Sequence, residues 1–105
     1  MSLELAKKYF SFWASKDIDS LSHLIANTCV LDDWENYFES KSEILDFYQN
    51  VFLENNIQLK ILNMSENNSI VYTHLYLVIN NLEIEVVDIL TFKNNKITNI
   101  KAFKK

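Results

Sequence analysis

The sequence predicts an α+β domain in which three helices precede an antiparallel sheet of about four strands. Two observations predict it. Before residue 55 the apolar residues recur at the three- and four-residue spacing of helices, and from Ile57 onward they alternate with period two. The second observation is a set of three Asn-Asn dipeptides, at 67–68, 80–81 and 94–95, each between apolar, strand-like runs. The chain has no Gly and no Pro. Asn is then the residue best able to take the positive φ that tight hairpin turns need. Helices first and strands after make an α+β arrangement.

Residues 3–15 read as the first helix. Leu5, Ala6, Tyr9, Phe10, Phe12 and Trp13 share a wide apolar stripe, with Glu4, Lys7, Lys8 and Ser11 opposite. Asp17 is an N-cap for a short second helix that buries Ile18, Leu21, Leu24 and Ile25. Cys29 to Leu31 reads as a short extended piece, followed by the polar and aromatic segment 32–38. Ser40-Lys41-Ser42-Glu43 fits a capping box for a third helix carrying Ile44, Leu45, Tyr48, Val51 and Phe52. Strands follow from Ile57, at 70–79, at 83–92 and at 96–103. The run IVYTHLYLVI at 70–79 is apolar on both faces.

The strand that begins near Leu82 carries an anomaly. Ile84, Val86, Leu90 and Phe92 alternate onto one face, and Asp88 falls in the middle of that row. A carboxylate there is costly unless it is paired, hydrogen-bonded or protonated. Asp88 is therefore expected to face a pocket with a raised pKa. The plainer alternative is an Asp tied to a backbone or Tyr donor for structural reasons.

Composition narrows the function. At 105 residues the chain is a single domain, 1–105, and 49% hydrophobic residues argue against disorder. No apolar run approaches the roughly 18 residues of a membrane span, and no signal peptide opens the chain. Cys29 is the only cysteine, which fits a reducing cytoplasm. The net charge is −4 and all ten basic residues are Lys, against a nucleic-acid role. With no glycine-rich phosphate loop and no His/Cys/Asp set at metal spacing, neither cofactor nor metal is expected.

Three helices followed by such a sheet resemble the nuclear transport factor 2-like superfamily. That group includes ketosteroid isomerases and SnoaL-like polyketide cyclases. The resemblance covers essentially the whole chain. It rests on Lys16-Asp17-Ile18-Asp19 after the first helix, Ile44-Leu45-Asp46-Phe47-Tyr48 in the third, and the closing hairpin from Phe92 to Phe103. It implies a cone-shaped, cystatin-like roll with a pocket between helices and sheet. Ketosteroid isomerase is the mechanistic comparison. Its Tyr in the first helix corresponds to Tyr9, its general base to Asp33 with Asp32 adjacent, and its protonated Asp to Asp88 in Val87-Asp88-Ile89-Leu90-Thr91-Phe92. The family's Pro after the base and Gly before the third helix are here Trp34 and about Ser40. Limonene epoxide hydrolase, a relative that needs an Arg between two Asp residues, is excluded because the chain has no Arg.

Tyr9, Asp33 and Asp88 are the catalytic candidates. Tyr9 would donate to a developing oxyanion, or would be a core Tyr whose hydroxyl reaches backbone or water. Asp33 would act as a general base, or would cap a solvated turn. Extended geometry sends Asp32 and Asp33 to opposite sides, and Asp33 is the one expected to face the pocket. Trp13, Asp32, Trp34 and Tyr48 are expected to line the cavity. So are Tyr72, His74 and Tyr76 on one face of a strand, with Val86 and Leu90. His74 also fits a satisfied core histidine. Cys29, with no activating cation nearby, reads as a structural thiol.

The function expected is binding, and turnover by Asp general acid/base chemistry, of a small apolar or polycyclic ligand, as an isomerase or cyclase. The alternative is a non-catalytic ligand-binding or dimerisation module. The strand at 70–79 is apolar on both faces and the helices cover only one. A homodimer through the sheet's outer face is therefore expected, with Glu83 and Glu85 at its rim.

Overall fold

The three expected helices form, with ends set by side chains that the sequence names. In the computed structural model, which describes Met1–Lys105, α1 spans Ser2–Ala14 and buries Ala6, Tyr9 and Phe10. It stops at Lys16, whose φ of 57° is left-handed. The Lys16 ammonium donates to the carbonyls of Phe52 and Asn55 at 2.8 and 2.7 Å. Those carbonyls lie at the negative end of the third helix, so a cation there is favoured.

Helix α2, Ile18–Leu24, is capped by Asp17, which accepts from the Ser20 N–H at 3.1 Å and the Ser20 hydroxyl at 2.7 Å. Helix α3, Lys41–Glu54, begins at Ser40, whose Oγ accepts from the Glu43 N–H at 3.3 Å. Glu43 Oε1 accepts from the Ser40 hydroxyl and from the Glu39 N–H. The box thus closes on the residue before the cap.

Six strands follow or intervene: β1 Ile25–Asp32, β2 Tyr37–Phe38, β3 Ile57–Asn67, β4 Ile70–Ile79, β5 Leu82–Lys93 and β6 Lys96–Lys104. They form one sheet in the order β2-β1-β6-β5-β4-β3. The expectation of about four antiparallel strands needs correction. The segment read as a short piece at 29–31 is an eight-residue strand, and it pairs parallel with β6. A register shift between Ile25 and Val30 breaks its alternation, which hid it from a period-two reading.

Two of the three Asn pairs expected to form hairpins are two-residue turns. Asn80 and Asn81 have φ of 51° and 71°, and Asn94 and Asn95 have 54° and 64°. The first hairpin is shifted by one residue. Asn67 pairs with Ile70, so its turn is Asn68–Ser69, with only Asn68 at positive φ.

The helices pack on one face of this sheet, giving the expected cone-shaped roll. Val71, Thr73 and Leu75 of β4 are buried on that face beside Leu90, Asp88 and Val86 of β5. The intervening β4 residues, Tyr72, His74 and Tyr76, point to the other side. No helix is long and apolar enough to cross a membrane.

Candidate functional site

Between α1, α3 and the concave face of the sheet lies a cavity of about 110 Å³. Fourteen of its sixteen lining residues are hydrophobic, so its walls select for an apolar occupant. The other two are Asp33 and Asp88. All three catalytic candidates, Tyr9, Asp33 and Asp88, border this one space.

The helical wall is aromatic. Tyr9 and Trp13 are one turn apart on the buried stripe of α1. Trp13 meets Tyr48 and Phe52 of α3 edge-on, with ring centroids 5.1 and 4.7 Å apart. The Tyr9 and Tyr48 hydroxyls are hydrogen-bonded at 2.5 Å. Burial pushes the Tyr9 phenol well above its ordinary range, aided by the neighbouring Tyr48 and by Asp88. Tyr48 is also raised, chiefly by burial. Both therefore keep their protons and can act as donors, not as phenolates.

The sheet supplies the acid. On β5, Val86 and Asp88 face the helices together, which fixes Asp88 inside the apolar row. Asp88 is half-buried, and no protein donor reaches its carboxyl group. Loss of hydration pushes its pKa up to about 7, and the negative charge of Asp33 adds to the rise.

Asp33 sits in the loop that joins β1 to β2, where Leu31 pairs with Phe38 and Asp32 with Tyr37. Its Oδ1 accepts from the Glu35 N–H at 2.8 Å and the Asn36 N–H at 2.7 Å. The Asn36 side-chain amide donates to it at 3.3 Å. Asp33 thus both ties the turn and borders the cavity. Asp32 is exposed and off the cavity, so the expectation that it lines the pocket is corrected. Trp34 borders the mouth, with the Lys104 ammonium 5.8 Å above its ring.

Four other expected lining residues are corrected. Tyr72, His74 and Tyr76 lie on the outer face, where His74 Nε2 bonds Glu85 Oε2 at 2.7 Å. The doubly apolar run at 70–79 gave no pattern from which to choose the face. Leu90 is on the concave face but wholly buried, below the cavity floor. Trp13, Trp34, Tyr48 and Val86 do line the cavity. The Tyr48 hydroxyl as partner of Tyr9 was missed. The signal available was Tyr48 on the apolar stripe of α3, facing α1.

Burial pushes the Cys29 thiol up to about 12, so it is not a nucleophile at neutral pH. No three His, Cys, Asp or Glu side chains come together at metal-binding distance.

None of the curated proteins matches the chain in sequence. Solved structures match its fold. An NTF2-like protein of unknown function from Cytophaga hutchinsonii superposes with a TM-score of 0.90 at 8% identity, covering 100% of this chain and 90% of that one. A proposed ketosteroid isomerase from Kribbella flavida gives 0.91 at 15%, covering 99% and 77%. A proposed SnoaL-like polyketide cyclase from Shewanella putrefaciens gives 0.87 at 16%, covering 98% and 79%. The sequence profile of the SnoaL-like domain matches residues 6–100. The chain belongs to the SnoaL-like domain family, within the nuclear transport factor 2-like superfamily.

Proposed function

We propose that the cavity binds a small apolar carbonyl compound and that its acids move a proton on it, as an isomerase or cyclase does. One observation carries this reading: Asp88 stands in an apolar cavity with no protein hydrogen bond and a pKa near 7. An acid matched to neutral pH is the most effective proton donor and acceptor there. In this reading protonated Asp88 and Tyr9 donate to the carbonyl oxygen, and Asp33 takes the proton from the adjacent carbon and returns it to the far carbon of the dienolate so formed. When Tyr48 donates to Tyr9, the Tyr9 hydrogen is free for the ligand. General acid–base catalysis contributes typically ~10²–10⁴-fold. The relatives described as a ketosteroid isomerase and a polyketide cyclase support the same class of reaction.

The cavity sets the ligand's size. Closed apolar cavities of roughly 150 Å³ hold benzene. At about 110 Å³ this one takes a single small ring, and a polycyclic ligand would extend through the mouth at Trp34. The test is conversion of 3-cyclohexenone to conjugated 2-cyclohexenone, followed by ultraviolet absorbance. Wild type is expected to accelerate it, and Asp88→Asn and Tyr9→Phe to lose most of that rate. Acceleration equal in wild type and Asp88→Asn, or none above buffer, overturns the reading.

The second reading, a non-catalytic binding or dimerisation module, is favoured by one fact. The Asp33 carboxylate is already engaged by the turn it closes. In either reading a second copy covers the outer face, where Tyr72, Val87 and Phe103 are 38%, 37% and 58% exposed. Glu85, placed at the rim by the sequence reading, sits within that face between His74 and Lys105. Buried thiol Cys29 suits a cytoplasmic setting.

A further inference from the structure

The core contains one polar atom with no partner. Thr73 is 0% exposed, and its Oγ1 is the single buried side-chain oxygen or nitrogen without a hydrogen bond. Such a group costs stability unless something engages it. A valine would have the same shape and β-propensity at no such cost, so the hydroxyl calls for a physical reason.

The register supplies one. Thr73 on β4 is directly opposite Asp88 on β5, and Ala102 on β6 is opposite Asp88 on its other side. Directly opposed residues share a face, with Cβ atoms about 4.5–5.5 Å apart. Ala102 offers no side-chain donor, so on the sheet Thr73 alone offers Asp88 one. At that spacing, rotation of the Thr73 χ1 angle carries its hydroxyl to the Asp88 carboxyl group. We propose that Thr73 is a positioning residue for Asp88, its hydroxyl donating to one carboxyl oxygen whether the acid is ionised or neutral, so that the proton of the neutral acid stays free for the ligand.

A hydroxyl suits this role because it can donate both to a carboxylate and to the carbonyl oxygen of a neutral acid. The bond to the ionised form is the stronger, because it is charge-assisted. Thr73 therefore holds the Asp88 midpoint lower than it would otherwise be, while fixing the carboxyl orientation in both states. The other titratable groups facing Asp88 are Asp33 from the β1–β2 loop, Tyr9 from α1 and Tyr48 from α3. Asp33 raises Asp88, and the two tyrosines stay neutral and bond each other. Thr73 is the remaining lever. The inference extends the proposed function, but its test needs no substrate.

The experiment is an NMR titration of the Asp88 side-chain carbon in wild type, Thr73→Val and Thr73→Ser. Thr73→Val is expected to raise the midpoint by roughly half to one unit, and Thr73→Ser to restore it. An unchanged midpoint in Thr73→Val, with a higher unfolding temperature from removal of an idle buried hydroxyl, overturns the proposal. Should Thr73→Val not fold, Thr73→Ala reads the same midpoint, and no rise there overturns it equally. If cyclohexenone turnover fails while the titration shifts as stated, the proposed reaction falls and the Thr73–Asp88 coupling stands.

Discussion

Tyr9 and Tyr48 bond each other across the interface of α1 and α3, 39 residues apart in sequence, at 2.5 Å. Each hydroxyl is buried among aromatic and aliphatic groups, so each depends on the other. Tyr48→Phe leaves the Tyr9 hydroxyl without its partner and is expected to cost about 1–3 kcal/mol. Tyr9→Phe with Tyr48→Phe should cost less than the two single changes together, because no orphan remains. Urea unfolding of the four proteins checks this. Additive losses would mean that the two hydroxyls are independently satisfied.

Asp88 makes stability fall as pH rises. Its pKa is raised from 3.8 to about 7 in the folded state, so the folded chain holds a proton that the unfolded chain releases. Stability attributed to Asp88 is full below about pH 4, declines between pH 4 and 7, and stays low above. Asp88→Asn should remove that decline and stabilise the protein at pH 8 by ~2 kcal/mol. The figure is about half of what the full shift implies, discounted because Asp88 keeps partial exposure. Thermal unfolding of both proteins at pH 5 and pH 8 checks it, and equal differences at both pH values would contradict it.

Asp33 separates charge from structure. Asp33→Asn keeps an oxygen to accept from the Glu35 and Asn36 N–H groups but removes the negative charge. It should leave stability within about 0.5 kcal/mol and lower the Asp88 midpoint, since Asp33 helps to raise it. Asp33→Ala should also lower the midpoint, while losing ~1–2 kcal/mol with the turn's hydrogen bonds. Carbon-detected titration and urea unfolding read the two effects apart.

The outer face gives a test of assembly. Sedimentation at micromolar concentration should give twice the 12.4 kDa of one chain. Val87→Glu, which puts a charge among Tyr72, Ile89 and Phe103, should give the single-chain mass with the fold retained. A wild-type monomer would mean that this face stays in water.

Most of the architecture was legible because local chemistry and global fold agree. Asp17, Ser40 and the Asn80-Asn81 and Asn94-Asn95 pairs mark ends and turns by their own hydrogen bonds and φ values. Asp88 was legible as a site residue because one charge interrupts an apolar row. The outer position of Tyr72, His74 and Tyr76 was not, since a strand apolar on both faces has no pattern to orient it. The β1–β6 pairing was hidden because it joins segments 70 residues apart in sequence through an irregular register. The Thr73–Asp88 pairing was equally hidden, because register across strands is a property of the folded sheet.

That β1–β6 pairing has a consequence for how the protein is made. β6 lies inside the sheet, between β5 and β1, yet it follows the other five strands in chain order. Until it docks, β1 has only the two-residue β2 beside it and the cone has no continuous wall. Ile100 and Ala102, which line the cavity, are then missing, and Asp88 stands open to water. A nascent chain stalled before Lys96 would therefore present two unpaired strand edges and an ordinary, hydrated carboxylate. The apolar chamber and its unusual acid come into being together, when β6 docks.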